Sequence, residues 1–162
     1  WFLGEEQDRH HASRALADLV RGGLELAQHV ARAQEGRAGD VYALLAAALG
    51  TTDVTKAYTG IGISLADAGW TNKQLATALL ATDVYKTDAG GVSDETFIKH
   101  VYKNVMGTDA TLADVTALTN WMNGNHYSQA DVLVAASELA SFETAIGLVG
   151  LATTGIEYTP VV

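Results

Sequence analysis

Cysteine is absent from this chain of 162 residues. Its absence excludes disulfides, thiolate metal sites and a cysteine nucleophile. Proline occurs once, as Pro160, so no ring interrupts a helix anywhere before the last three residues. Basic residues are scarce, ten against nineteen acidic ones, for a net charge of −9. That balance argues against nucleic acid, whose binding depends on Lys and Arg neutralising phosphate. It argues equally against electrostatic adhesion to anionic lipid. Long apolar runs are missing too, since "VYALLAAALG" stops near ten residues, well short of a membrane span. The chain opens on Trp1 without a charged start and an apolar stretch, so no signal peptide is read and a processed or truncated chain is the expectation.

What is present is helical. Apolar residues make up 48% of the chain, too many for compositional disorder. Val, Ile and Tyr fall at helical spacing among many Ala and Leu, and strand signals are few. The expectation is an all-α fold.

The bases divide the chain. All five arginines (Arg9, Arg14, Arg21, Arg32, Arg37) precede residue 40, and all five lysines (Lys56, Lys73, Lys86, Lys99, Lys103) follow residue 50. Two segments of different history are expected to meet in "QEGRAGD" (34–40). A natural N-terminal helix leading into a repeat domain and a join of two separate pieces both fit. The first segment, 1–39, reads as a long helical arm over about 5–32. Ala12, Leu16, Leu19, Gly23, Leu26, Val30 and Ala33 recur at spacings of four and three, a seam of coiled-coil type. Leu16, Leu19, Gly23, Leu26 and Val30 are the candidate assembly positions. An ordinary helix covering a core would show the same pattern.

The second segment, 40–162, says one thing twice. "WTNKQLATALLA" from Trp70 and "YSQADVLVAASEL" from Tyr127 lie 57 positions apart. Each opens with an aromatic staple and a hydroxyl N-cap, with Gln74 or Asp131 as the reciprocal partner of a capping box. The same offset relates Gly50 to Gly107, Ile61 to Leu118, Leu65 to Met122 and Tyr85 to Phe142. Two multi-helix units are expected, about 41–86 and 98–143, joined by "TDAGGVSDET". Each reads helix, Gly-ended turn, helix, stapled helix. Further caps are expected at Asp40, at Ser93 with Val92 and Phe97 as staple, and at Thr111 with Asp114. A last helix is expected over about 142–154, with "IEYTPVV" leaving in extended form.

The stretch "FIKHVYKNVMGTDATLADVTALTNWMNGNHYSQADVLVAASELASFE" resembles a helical repeat of unknown function. That repeat is common in secreted bacterial proteins of RTX-type or S-layer architecture. Tyr102, Asn104, Val105, Gly107, Trp121, Gly124, Ser128, Ala130, Asp131, Val132, Leu133 and Phe142 carry the likeness. The chain departs from the pattern at the first turn, where "TDATLAD" replaces a Pro-Asp pair. The resemblance extends over about 41–158 and is more distant to phycobilisome linker helices. It implies an extracellular or cell-surface protein, exported without a cleaved leader, and the lack of cysteine suits that setting. In some S-layer proteins a similar region anchors the lattice to surface polysaccharide.

Chemistry is sparse. No H-E-x-x-H, G-x-S-x-G, P-loop or dinucleotide fingerprint occurs, and "TGIGIS" (59–64) reads as helix packing. His11 and His29 share a helix face but stand about 27 Å apart by helical rise. A solvated or capping role is expected for these and for His10, His100 and His126. No enzyme and no cofactor is expected. Calcium is the cation the acidic loops would take, with Asp88, Asp94 and Glu95 as candidate ligands. Neither an EF-hand loop nor a nonapeptide repeat is present, and helix caps account for the same residues. Sugar binding needs an aromatic platform beside amides, and Trp121, Asn123, Asn125 and Tyr127 offer one, with Trp70 and Tyr58 as counterparts. Core packing is the competing role for these aromatics. The reading is a non-enzymatic module that anchors or assembles a larger secreted or S-layer-type protein. Its partners would be bacterial surface polysaccharide or copies of itself in a homo-oligomer. A self-assembling or linker subunit without glycan binding is the alternative.

Overall fold

The structure, a computed structural model, describes residues 37–148 and 156–161. The expected helix over 5–32 and its seam, Leu16 to Val30, lie outside the described residues. Among those described there are eight α-helices and no strand. They are α1 Arg37–Leu49, α2 Lys56–Asp67, α3 Asn72–Leu80, α4 Asp83–Ala89, α5 Asp94–Met106, α6 Leu112–Asn125, α7 Gln129–Ser137 and α8 Ala140–Ala145. α1 and α5 have 13 residues each, and α3 and α7 have nine; both pairs begin 57 positions apart.

α1 is the axis of the fold. Its "ALLAAAL" run is apolar on every side, the pattern of a helix with no face for solvent. Ala46, Ala47 and Ala48 are wholly buried, and α1 packs on α2, α3, α5 and α7, with a lighter contact to α4. The C-terminal carbonyls of such a helix need donors from elsewhere. α5 supplies them: Asn104 Nδ2 donates to Ala47 O at 3.0 Å, and His100 Nε2 lies 2.7 Å from Ala48 O. Because a carbonyl only accepts, His100 carries its proton on Nε2. That nitrogen also faces Asp88 Oδ2 at 3.2 Å. His100 is thus a capping histidine.

The expected capping boxes are present in full. Thr71 with Gln74, Thr111 with Asp114 and Ser128 with Asp131 each exchange both hydrogen bonds. Each box satisfies two amides that the first helical turn leaves unpaired. The two similar stretches lie against one another, for α3 and α7 form an extensive helix contact, with Lys73 Nζ 2.8 Å from Asp131 Oδ1. Ser93 caps α5, and Gly107, at φ 74°, ends it in the left-handed conformation that glycine takes most easily.

The glycines of "TGIGIS" are packing positions. A Cβ on Gly62 would come within 2.5 Å of Val41 Cγ1, so glycine lets α2 close on α1. A Cβ on Gly60 would overlap the Thr159 carbonyl oxygen. There the segment 156–161 crosses α2, tied by Thr159 N to Lys56 O at 3.0 Å and by the Lys56–Glu157 ion pair.

Four local expectations are corrected. Asp40 does not cap a helix at Val41, because α1 is already helical from Arg37 and Asp40 lies in its first turn. A short helix, α4, occupies part of the expected joint; Thr82 caps it and Gly90 stops it. Val92 is 63% exposed, so it leaves Phe97 without the expected staple. The last helix starts at Ala140 and ends at Ala145, where Gly147 at φ 77° turns the chain.

Candidate functional site

The four glycan candidates meet at the corner between α6 and α7. His126, at φ 57°, ends α6 in a left-handed cap, and Tyr127 N bonds Met122 O at 3.0 Å. This tight reversal brings the Tyr127 ring 4.8 Å from the Trp121 ring, tilted by 40°. Asn123 and Asn125 are exposed beside the pair, and Asn125 Nδ2 donates to Trp121 O at 2.8 Å. Both rings are half-buried and rest against the core, so each is only partly open to solvent. Of their counterparts, Trp70 is 39% exposed before α3, and Tyr58 sits half-buried on α2.

The three calcium candidates turn to three different partners. Asp88 faces His100, Asp94 accepts from Gln129 Nε2 at 2.8 Å, and Glu95 pairs with Lys99 at 2.5 Å. The hydrogen bond and charge of Lys99 hold the Glu95 carboxyl below its usual range. Among the described residues no three His, Asp or Glu side chains are placed to hold a metal ion.

A carboxylate pair that sequence reasoning missed lies where α1, α3, α7 and α8 converge. Burial raises Asp40 and pushes Glu138 up to about 7, with the Asp40 charge as the second cause for Glu138. Hydrogen bonds from the Asn72 amide oppose both shifts, while the Glu143 charge adds a little to the rise in Glu138. Asp131 behaves oppositely: burial raises it, but bonds from Lys73 and Ser128 outweigh burial and hold it low.

A concavity was also missed. It is an open, almost wholly apolar groove of about 240 Å³. Val41, Leu44 and Leu45 of α1 form its floor, with Ile61 and Leu65 of α2 on one side. Leu75 and Leu79 of α3 form the other side, continued by Val84 of α4. Ile61 and Val84 stand at the lip, 49% and 43% exposed. Val101, Tyr102, Leu118, Met122, Val132 and Ala136 stand 57 positions beyond Leu44, Leu45, Ile61, Leu65, Leu75 and Leu79 in the sequence. They line a space of only about 20 Å³. Tyr102 and Trp121 are bulkier than Leu45 and exposed Ser64, whereas Val101, Val132 and Ala136 are smaller than Leu44, Leu75 and Leu79.

Residues 76–145 match the family described as a domain of unknown function, DUF4214. That span runs from the middle of α3 to the end of α8 and contains the α6–α7 corner. It is shorter than the 41–158 expected from the resemblance, and the family description states no activity. No curated protein and no solved structure matches the chain.

Proposed function

We propose that this chain is a non-enzymatic cell-surface module that anchors a larger secreted or S-layer-type bacterial protein to envelope polysaccharide. The observation that supports the reading is the α6–α7 corner. It places a contacting Trp–Tyr pair beside two exposed side-chain amides. An aromatic edge offers apolar contact to a pyranose, and each amide both donates to and accepts from sugar hydroxyls.

The test is co-sedimentation of the full chain with purified bacterial cell-wall polysaccharide. Trp121→Ala is a poor probe, because its ring also fills the interior. Asn123→Ala and Asn125→Ala lie at the surface, and together they are expected to weaken retention about tenfold while the chain still unfolds cooperatively, the loss expected from two hydrogen bonds. Full retention by the folded double variant would remove the corner from the mechanism.

A second reading, a self-assembling or linker subunit without glycan binding, draws on exposed apolar side chains. Leu112 is 77% exposed and Val92 63%. Light scattering on the full chain, with calcium and with chelator, separates the two. A concentration-dependent oligomer that ignores polysaccharide would favour assembly.

A further inference from the structure

We propose that the polysaccharide held at the α6–α7 corner is an uncharged one, built of neutral or N-acetylated sugars without phosphate or carboxylate, and that it lies against the α6 backbone at Gly124. The inference rests on the anchoring reading and names the ligand class of that site.

Charge is the first argument. The last base of the chain is Lys103, so α6, α7 and the turn between them hold no Lys or Arg. Residues 104–162 carry six carboxylates instead. Ionised phosphate and carboxylate groups accept hydrogen bonds without donating any, and proteins hold them chiefly with Arg and Lys. Lys73 on α3 is engaged by Asp131 at 2.8 Å, and Lys103 on α5 by Asp109 at 3.0 Å. A helix N-terminus also attracts anions, and α7 begins at the corner. That position is filled from within, because the Asp131 carboxylate accepts from the Ser128 amide and hydroxyl at 2.9 and 2.8 Å. His126 is the one residue of the corner able to take a positive charge.

A cationic sugar finds no partner on α6 either. A surface helix ordinarily turns charged side chains outward. α6 exposes Ala113, Thr116, Ala117, Asn120 and Asn123, and its one charged residue, Asp114, is buried in the capping box. Side-chain amides both donate and accept, as the hydroxyls of a neutral sugar do. Asn125, with Nδ2 bonded to Trp121 O at 2.8 Å, keeps its Oδ1 for such a hydroxyl.

Gly124 supplies the second argument. Glycine weakens a helix relative to alanine, and it is useful there where something must approach the backbone closely. No described part of the protein does so: Gly124 is exposed, and an added Cβ would meet nothing within 4 Å. Nor does Gly124 take the left-handed conformation that favours glycine. It stands three positions after Trp121 and one before Asn125, so the three share one face of α6. A sugar ring can settle there on bare backbone, between aromatic and amide.

The experiment separates bacterial cell-wall polysaccharide by anion exchange into a neutral and an acidic pool, fixes each to beads and measures retention of the full chain. The neutral pool is expected to hold the chain and the acidic pool to let it pass. Raising the salt about tenfold should not weaken retention, because no ion pair is involved. Gly124→Gln favours the helix but covers the bare backbone. It is expected to lower neutral-pool retention about fivefold, the loss of roughly one hydrogen bond, without lowering the urea midpoint. Retention by the acidic pool alone, lost as salt rises, would overturn the neutral class and leave the anchoring reading standing. Equal retention by both pools would overturn it too. Retention by neither pool would remove the anchoring reading, and this proposal with it. Full neutral-pool retention of Gly124→Gln would overturn the placement at Gly124.

Discussion

Glu138 ends α7 with its carboxyl half-buried near Asp40, and burial followed by that charge pushes it up to about 7. Below about 4.5, its ordinary value, the folded and unfolded chains both hold the proton. Between there and about 7 the folded chain keeps a proton that the unfolded chain has released, so stability falls as pH rises through that window. A Glu138→Gln variant keeps the site neutral and should lose that slope. It is expected to exceed the parent by on the order of 1 kcal/mol near pH 8, allowing for solvent screening, and to equal it near pH 4. Urea unfolding at both pH values reads the difference; a parallel shift of both proteins would reject it. Tyr85 shows another cost of burial. Its hydroxyl is enclosed without a hydrogen-bond partner and is pushed up to about 12, by burial first and then by the Asp88 charge. Phe142, 57 positions on in the sequence, is buried as deeply and carries no hydroxyl.

Among the elements, α2 is bounded by close approaches that a single methyl would disturb. Gly62→Ala would drive a carbon to within 2.5 Å of Val41 Cγ1 at the α1–α2 contact. Overpacking of this kind typically costs about 1–3 kcal/mol, and the loss should appear as a lower urea midpoint with an unchanged slope. An unchanged midpoint would mean that α1 and α2 separate more freely than their contact implies. Helix starts were the most legible part of the sequence, because a capping box is written within four residues and needs no tertiary help. Thr71, Thr111 and Ser128 all formed theirs. α4 was as legible, with Thr82 before it and Gly90 after it, but its residues 83–86 passed for the end of the first unit and 87–89 for the joint. Asp40 was misplaced because an acidic residue suits an N-cap and a first turn equally, both gaining from the helix dipole.

At the scale of the whole molecule, the all-α class followed from composition and periodicity. The groove did not, since it arises from how three helices meet around α1. No residue change marks it across the 57-residue offset, for Trp121 and Tyr102 give way to smaller Ser64 and Leu45 while Val101, Val132 and Ala136 give way to larger Leu44, Leu75 and Leu79. The α6–α7 corner was legible as a neighbourhood, because its residues are close in sequence. How far the core draws in the Trp121 ring was not. The central place of α1 also divides the fold unequally. α1 is covered by α5 and α7 as well as by α2 and α3, so residues 1–91 alone should show no cooperative thermal transition and should aggregate. A soluble half with a sharp transition would contradict that. On a ribosome α1 emerges before the helices that enclose it, and α7 follows some eighty residues later. Folding must therefore wait until α7 has left the ribosome, which leaves a long interval in which the chain is still threadable.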